Sequence, residues 1–256
     1  MNQLLDYYRL QKNTLFEKVT SLQQQMDVEE LHDLRVTLKR MRAFFRMLKQ
    51  IRTELYPATE DYQRIKSFFK TAGKLRDIHV QENEIDKHEK DLGMDLSFLK
   101  EYLKTFEETY EKNLNTALQQ FDKELYNRYE RFLEAELQKQ DLYYIFKDVV
   151  TFTHTKLKDA RERVDTAETA ENLHKVRSML KDILYYLEII NSEDNLQDIS
   201  VKEVKDSQSF LGDWHDNVIT FDTVQEFKEN NQNLAQKNTG TIEILEDYLV
   251  KKIHFS

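Results

Sequence analysis

The chain has 256 residues and a formal net charge of −9, with four Gly, one Pro and no Cys. So little turn chemistry excludes a sheet protein, whose hairpins take their φ angles from Gly, Pro and Asn-Gly, and the missing Cys excludes disulfides and thiolate metal sites. The length allows one large domain or two of ordinary size, and the expected fold class is all-α.

The first residues, MNQLLDYYRLQKN, carry no basic stretch leading into an apolar one, and no apolar run approaches the ~20 residues of a membrane span. A soluble, cytoplasmic protein with no membrane partner is expected. The N-terminal helix should end near Asp27, an N-cap with Glu30 three residues on. The next helix contains LHDLRVTLKRMRAFFRMLKQIR (31–52), which sets seven bases (Arg35, Lys39, Arg40, Arg42, Arg46, Lys49, Arg52) against one acid, Asp33. Later breaks are expected at Tyr56-Pro57, with Pro57 in the first turn of the following helix, near Leu92-Gly93-Met94, and around residues 191–195. Between residues 84 and 136, fourteen acids stand against eight bases, which reads as long acidic helices with solvated outer faces.

The opening stretch recurs. Its apolar residues Leu31, Leu34, Leu38, Met41, Phe45 and Leu48 find apolar counterparts 142 positions later in Leu173, Val176, Leu180, Ile183, Leu187 and Ile190. In the same register His32, Arg35 and Lys39 become His174, Arg177 and Lys181. A second pair, KSFFKTAGKLRD (66–77) and KDSQSFLGDWHD (205–216), shares Lys66 with Lys205, Gly73 with Gly212 and Asp77 with Asp216. The chain therefore reads as a duplicated helical unit, residues 1–140 and 141–256, together forming one domain.

In each H-x-x-R-x-x-x-K stripe every base follows an apolar residue, about 100° around the helix axis, so the charge borders the buried seam. Arg42 and Arg46 extend the stripe in the first unit. A solvated helix face mixes charge signs to form i, i+4 pairs; this one does not. If the two stripes face each other, they line a basic cleft suited to a multivalent anion. Gly73 and Gly212 read as close-packing or kink positions, and Asp77 and Asp216 as groups that orient neighbouring bases.

The paired H-x-x-R-x-x-x-K helices, each followed by G-x-x-x-D, resemble the CHAD family, the conserved histidine α-helical domain, over essentially the whole chain. The resemblance implies two pseudo-twofold-related helical bundles around a basic central cavity that binds inorganic polyphosphate, with targeting to polyphosphate granules. Carried over by position, the contacting residues are His32, Arg35, Lys39, Arg42, Arg46, Lys66 and Arg76 from the first unit, and His174, Arg177, Lys181 and Lys205 from the second. The sequence also departs from the family. The usual K-R-x-R-Y reads Lys181-Asp182-Ile183-Leu184-Tyr185, the arginine matched by Arg76 is His215 in the second unit, and D-V is reduced to His79-Val80. Weaker binding by the second half follows, with His215 adding charge below about pH 6.5.

Two rival functions come from other classes. The doublets His32-Asp33 and His215-Asp216 suggest a metal-dependent phosphohydrolase, but neighbours on a helix point about 100° apart and no His lies at i+4. A helical scaffold for an unspecified protein partner is the other. Nucleic acid is not expected, since no recognition signature is present and the net charge opposes loose binding. No nucleophile–base pair, phosphate-cradling glycine loop or catalytic carboxylate pair is found, so the expectation is a binding protein with no catalytic residue, no metal and no cofactor.

Overall fold

The computed structural model of the chain describes residues 3–164, 170–190 and 200–254; the break expected around 191–195 lies outside them. All regular structure among the described residues is helical. The elements are α1 (Gln3–Gln24), α2 (Val28–Ile51), a 3-10 turn (Thr53–Leu55), α3 (Thr59–Leu92), α4 (Ser97–Gln119), α5 (Lys123–Leu137), α6 (Leu142–Val164), α7 (Ala170–Ile190), α8 (Val201–Asn230), α9 (Gln232–Lys237) and α10 (Thr239–Ile253).

The breaks have local causes. Asp27 caps α2, its carboxylate accepting the backbone N–H groups of Glu29 and Glu30 at 2.9 Å. The return bond of a capping box is not made, because the Glu30 carboxylate turns to Lys18 at 3.2 Å. Pro57 lies just ahead of the α3 N-cap, Ala58, instead of in its first turn; it holds Tyr56 extended (φ −74, ψ 140). The 34 residues of α3 end at Gly93, whose φ of 62 is left-handed and whose N–H donates to the Glu89 carbonyl.

The apolar face of α2 is buried throughout: Leu31, Leu34, Leu38, Met41, Phe45 and Leu48 are all sealed from solvent. On α7 the matching positions from Val176 to Ile190 are buried, while Leu173 packs only partly against the same core. Each such aliphatic side chain contributes roughly 1.5–3 kcal/mol on burial.

Among the described residues two apolar cores form, and neither follows the boundary at 140. The larger joins α1, α2 and α5 to α6 and α7. The smaller joins the end of α3 and the start of α4 (Ile78, Ile85, Leu99, Leu103) to α8 and α10 (Val224, Phe227, Leu245, Leu249). α3 and α8 run through both, since Ile65, Leu75, Val204 and Leu211 belong to the larger core and Ile85 and Phe227 to the smaller. α2 crosses α7 antiparallel, as the ion pairs Arg40–Glu188 and Arg46–Asp182 show. Among the described residues no helix is long and apolar enough to cross a membrane.

Candidate functional site

Where α2, α3, α7 and α8 converge, between the two cores, lies a cavity of about 590 Å³. α2 contributes His32, Arg35, Lys39, Arg42 and Arg46, and α3 contributes Arg76 and Asp77. α7 supplies Arg177, Lys181 and Asp182, and α8 supplies His215 and Asp216. Seven Arg and Lys side chains thus share one cavity with three carboxylates.

Packing holds much of this charge. The Arg35 guanidinium lies 3.8 Å above the Phe69 ring and donates to the Phe69 carbonyl at 2.6 Å. Arg42 shares the same ring at 3.9 Å. Gly73 lets Arg35 lie against α3: a Cβ there would stand 3.1 Å from the guanidinium carbon. On α8 a Cβ at Gly212 would meet only Gln208, at 3.7 Å. The Nε atoms of Arg35, Arg42, Arg46 and Arg177 and the Nη1 of Arg76 are buried with no hydrogen-bond partner in the protein.

The counter-charges are few. Asp182 pairs with Arg46, and Asp216 stands 3.9 Å from Arg177. Burial and mutual repulsion act on the rest. Burial, then the charges of Lys181, Arg35 and Arg177, brings Lys39 down to about 7. Burial and Arg177 bring Lys181 down to about 8, and burial with Arg42 nearby brings Arg35 to about 10, against the pull of Asp77. Burial raises Asp77 and Asp216 although the cations oppose it. The cavity holds more positive charge than its own acids balance, in a setting that penalises every unpaired charge.

The structure brings together His32, Arg35, Lys39, Arg42, Arg46, Arg76, Arg177 and Lys181, eight of the residues expected from the sequence. Three lie elsewhere. Lys66 does not line the cavity, Lys205 is exposed on α8, and His174 packs against Trp214 (4.9 Å) and edge-on to His215 (4.6 Å) outside the lining. His32 accompanies Arg76 instead, its Nδ1 being 3.1 Å from a guanidinium nitrogen. The expectation that His215 gains charge below pH 6.5 is corrected: burial, reinforced by Arg177, His174 and Lys181, pushes it down to about 4. Among the described residues no three His, Asp or Glu side chains gather so as to hold a metal ion.

The CHAD domain family model matches residues 9–225. The chain belongs to the CHAD domain family. Among solved structures, the crystal structure of the CHAD domain from the plant Ricinus communis is 16% identical, with a TM-score of 0.76 covering 98% of this chain and 85% of that one. PptA from Streptomyces chartreusis is 12% identical, with a TM-score of 0.69 covering 98% of this chain and 94% of that one. Both show the likeness of the fold. A comparison with curated proteins finds no match. The CHAD match stops at 225, so α10 and its half of the smaller core lie beyond it.

Sequence reasoning did not single out Phe69, the ring beneath two arginines. The adjacent pair Phe68-Phe69 carried no signal of its own, since both rings of the similar pair Phe44-Phe45 lie in the core. Phe68 enters the core and Phe69 the cavity.

Proposed function

We propose that this CHAD protein is a non-enzymatic receptor for inorganic polyphosphate, held in the cavity between α2, α3, α7 and α8. The carrying observation is the under-compensated charge there: seven Arg and Lys side chains against three carboxylates. Polyphosphate carries about one charge per repeating unit and presents no base edges, so an array of donors is sufficient recognition. Arginine offers planar paired donors and lysine a compact charge. Targeting to polyphosphate granules is the cellular role this binding would serve.

The phosphohydrolase reading finds no support in the His32-Asp33 doublet, and His215 and Asp216, which both line the cavity, gather no third His, Asp or Glu among the described residues. Asp33 turns away to Lys18 at 2.9 Å while His32 faces Arg76, so the two do not converge on one metal.

The test is calorimetric titration with long-chain polyphosphate at two salt concentrations, for the wild type and a Lys39→Ala, Arg177→Ala double variant. Wild-type affinity should fall steeply with salt through counterion release. The double variant should lose about 3–6 kcal/mol of binding while keeping its helical spectrum, given roughly 1.5–3 kcal/mol for each of two hydrogen bonds to a charged group. A folded wild type that does not bind, or a variant that binds equally well, would overturn the assignment.

A further inference from the structure

A second recess, of about 490 Å³, lies between α2, α6 and α7. Arg46, Ser178 and Asp182 line both it and the main cavity, so the Arg46–Asp182 ion pair stands in the partition between them. Beyond the pair the charged lining is four bases, Lys49 from α2, Lys156 and Arg163 from α6 and Lys175 from α7, against one acid, Asp159 of α6.

The basic stripe of α2 runs into this recess without changing face. Arg35, Lys39, Arg42, Arg46 and Lys49 follow at steps of four, three, four and three, a single helical stripe about 21 Å long. Its first four members line the main cavity and its last two line the recess. Lys156 and Lys175 are held by local pairs with Asp159 (3.3 Å) and Glu171 (2.7 Å), each three or four residues away on its own helix. Such pairs are weak, and phosphate oxygens compete well for both lysines.

Resting on the polyphosphate reading above, we propose that this recess is a second phosphate subsite, reached past the Arg46–Asp182 pair, which holds the part of a long polyphosphate chain that leaves the main cavity. Arg46 serves both sites, exchanging Asp182 for phosphate as the chain passes. A short oligophosphate fits within the main cavity and does not reach the recess, so the two chain lengths depend on different residues.

The experiment compares tripolyphosphate with long-chain polyphosphate, on the wild type and a Lys49→Ala, Lys156→Ala, Lys175→Ala variant whose changes are at exposed or half-buried positions. The variant should bind long-chain polyphosphate about tenfold more weakly, with a salt slope shallower by about 2 to 3, near one for each lysine that no longer meets phosphate. Its tripolyphosphate affinity should be unchanged. Unaltered long-chain binding would overturn the subsite and leave the cavity assignment standing, and equal losses for both probes would overturn it by showing a general field effect. A wild type that binds neither probe would fail the cavity reading and the subsite together, a result recognisable before any variant is compared.

Discussion

Lys39 shows what the cavity asks of a single residue. It sits on the apolar border of α2, and the charge acting most strongly on it is that of Lys181, its counterpart in the repeat. With Lys39 brought to about 7 and Lys181 to about 8, both are partly neutral just above pH 7. A bound polyanion restores their protons. Affinity for polyphosphate should therefore fall as pH rises from 7 to 9, approaching about tenfold per pH unit for each proton that must be taken up. Titrations at pH 8 in buffers of different ionisation enthalpy should record that uptake as a buffer-dependent heat; an affinity flat across this range would refute it. The free protein should show the opposite trend. Unfolded lysines with pKa near 10.4 bind protons that the folded cavity refuses, so stability without ligand should rise from pH 7 toward pH 10.

At the scale of elements, the two glycines matched by the repeat have separate tasks. Replacing either with Ala gains helix propensity of about 1 kcal/mol. Gly212→Ala has room for its methyl group beside Gln208, so it should stabilise by roughly that amount and leave ligand affinity alone. Gly73→Ala places its methyl 3.1 Å from the guanidinium of Arg35, which is pinned by the Phe69 ring and carbonyl. It should gain little or no stability and weaken polyphosphate binding severalfold. Denaturant midpoints and titrations of both variants measure the contrast, and identical behaviour would rule it out. The apolar registers of α2 and α7 were legible in the sequence because a 3.6-residue period reveals itself without a partner. The antiparallel crossing was not legible, because periodicity shows which face is buried and not what covers it. Asp182 consequently read as a lost base, whereas the crossing makes it the counter-ion of Arg46. Lys66 and Lys205 matched in register and share a helix face with Asp77 and Asp216 eleven residues on, but they stand about 16 Å away along the axis, beyond the end of the cavity.

For the whole molecule, the silence of periodicity about partners explains why the two units expected from the sequence do not map onto the two cores, each of which draws on residues from both sides of 140. α3 and α8 carry the join. Beside the cavity the Thr220 hydroxyl donates to the Gln81 side-chain oxygen at 3.1 Å, tying the two helices through residues 139 apart, the offset that separates Gly73 from Gly212. Trp214 of α8 donates to the Ile253 carbonyl at 3.1 Å, fastening the end of α10 to the same region. Ligand in the cavity should thus protect the protein globally, by about 2.7 kcal/mol at a hundredfold excess over Kd. Amide exchange should slow in α10 as well as in α1, and protection confined to the larger core would contradict the coupling. The unbroken passage of α3 and α8 through both cores also bears on kinetics. Cores joined by two continuous helices are held against closing on a guest like jaws, so a chain ligand should thread between fixed walls. Release is then a sequence of phosphate-by-phosphate disengagements, and residence time should lengthen steeply with chain length while the rate of capture hardly changes.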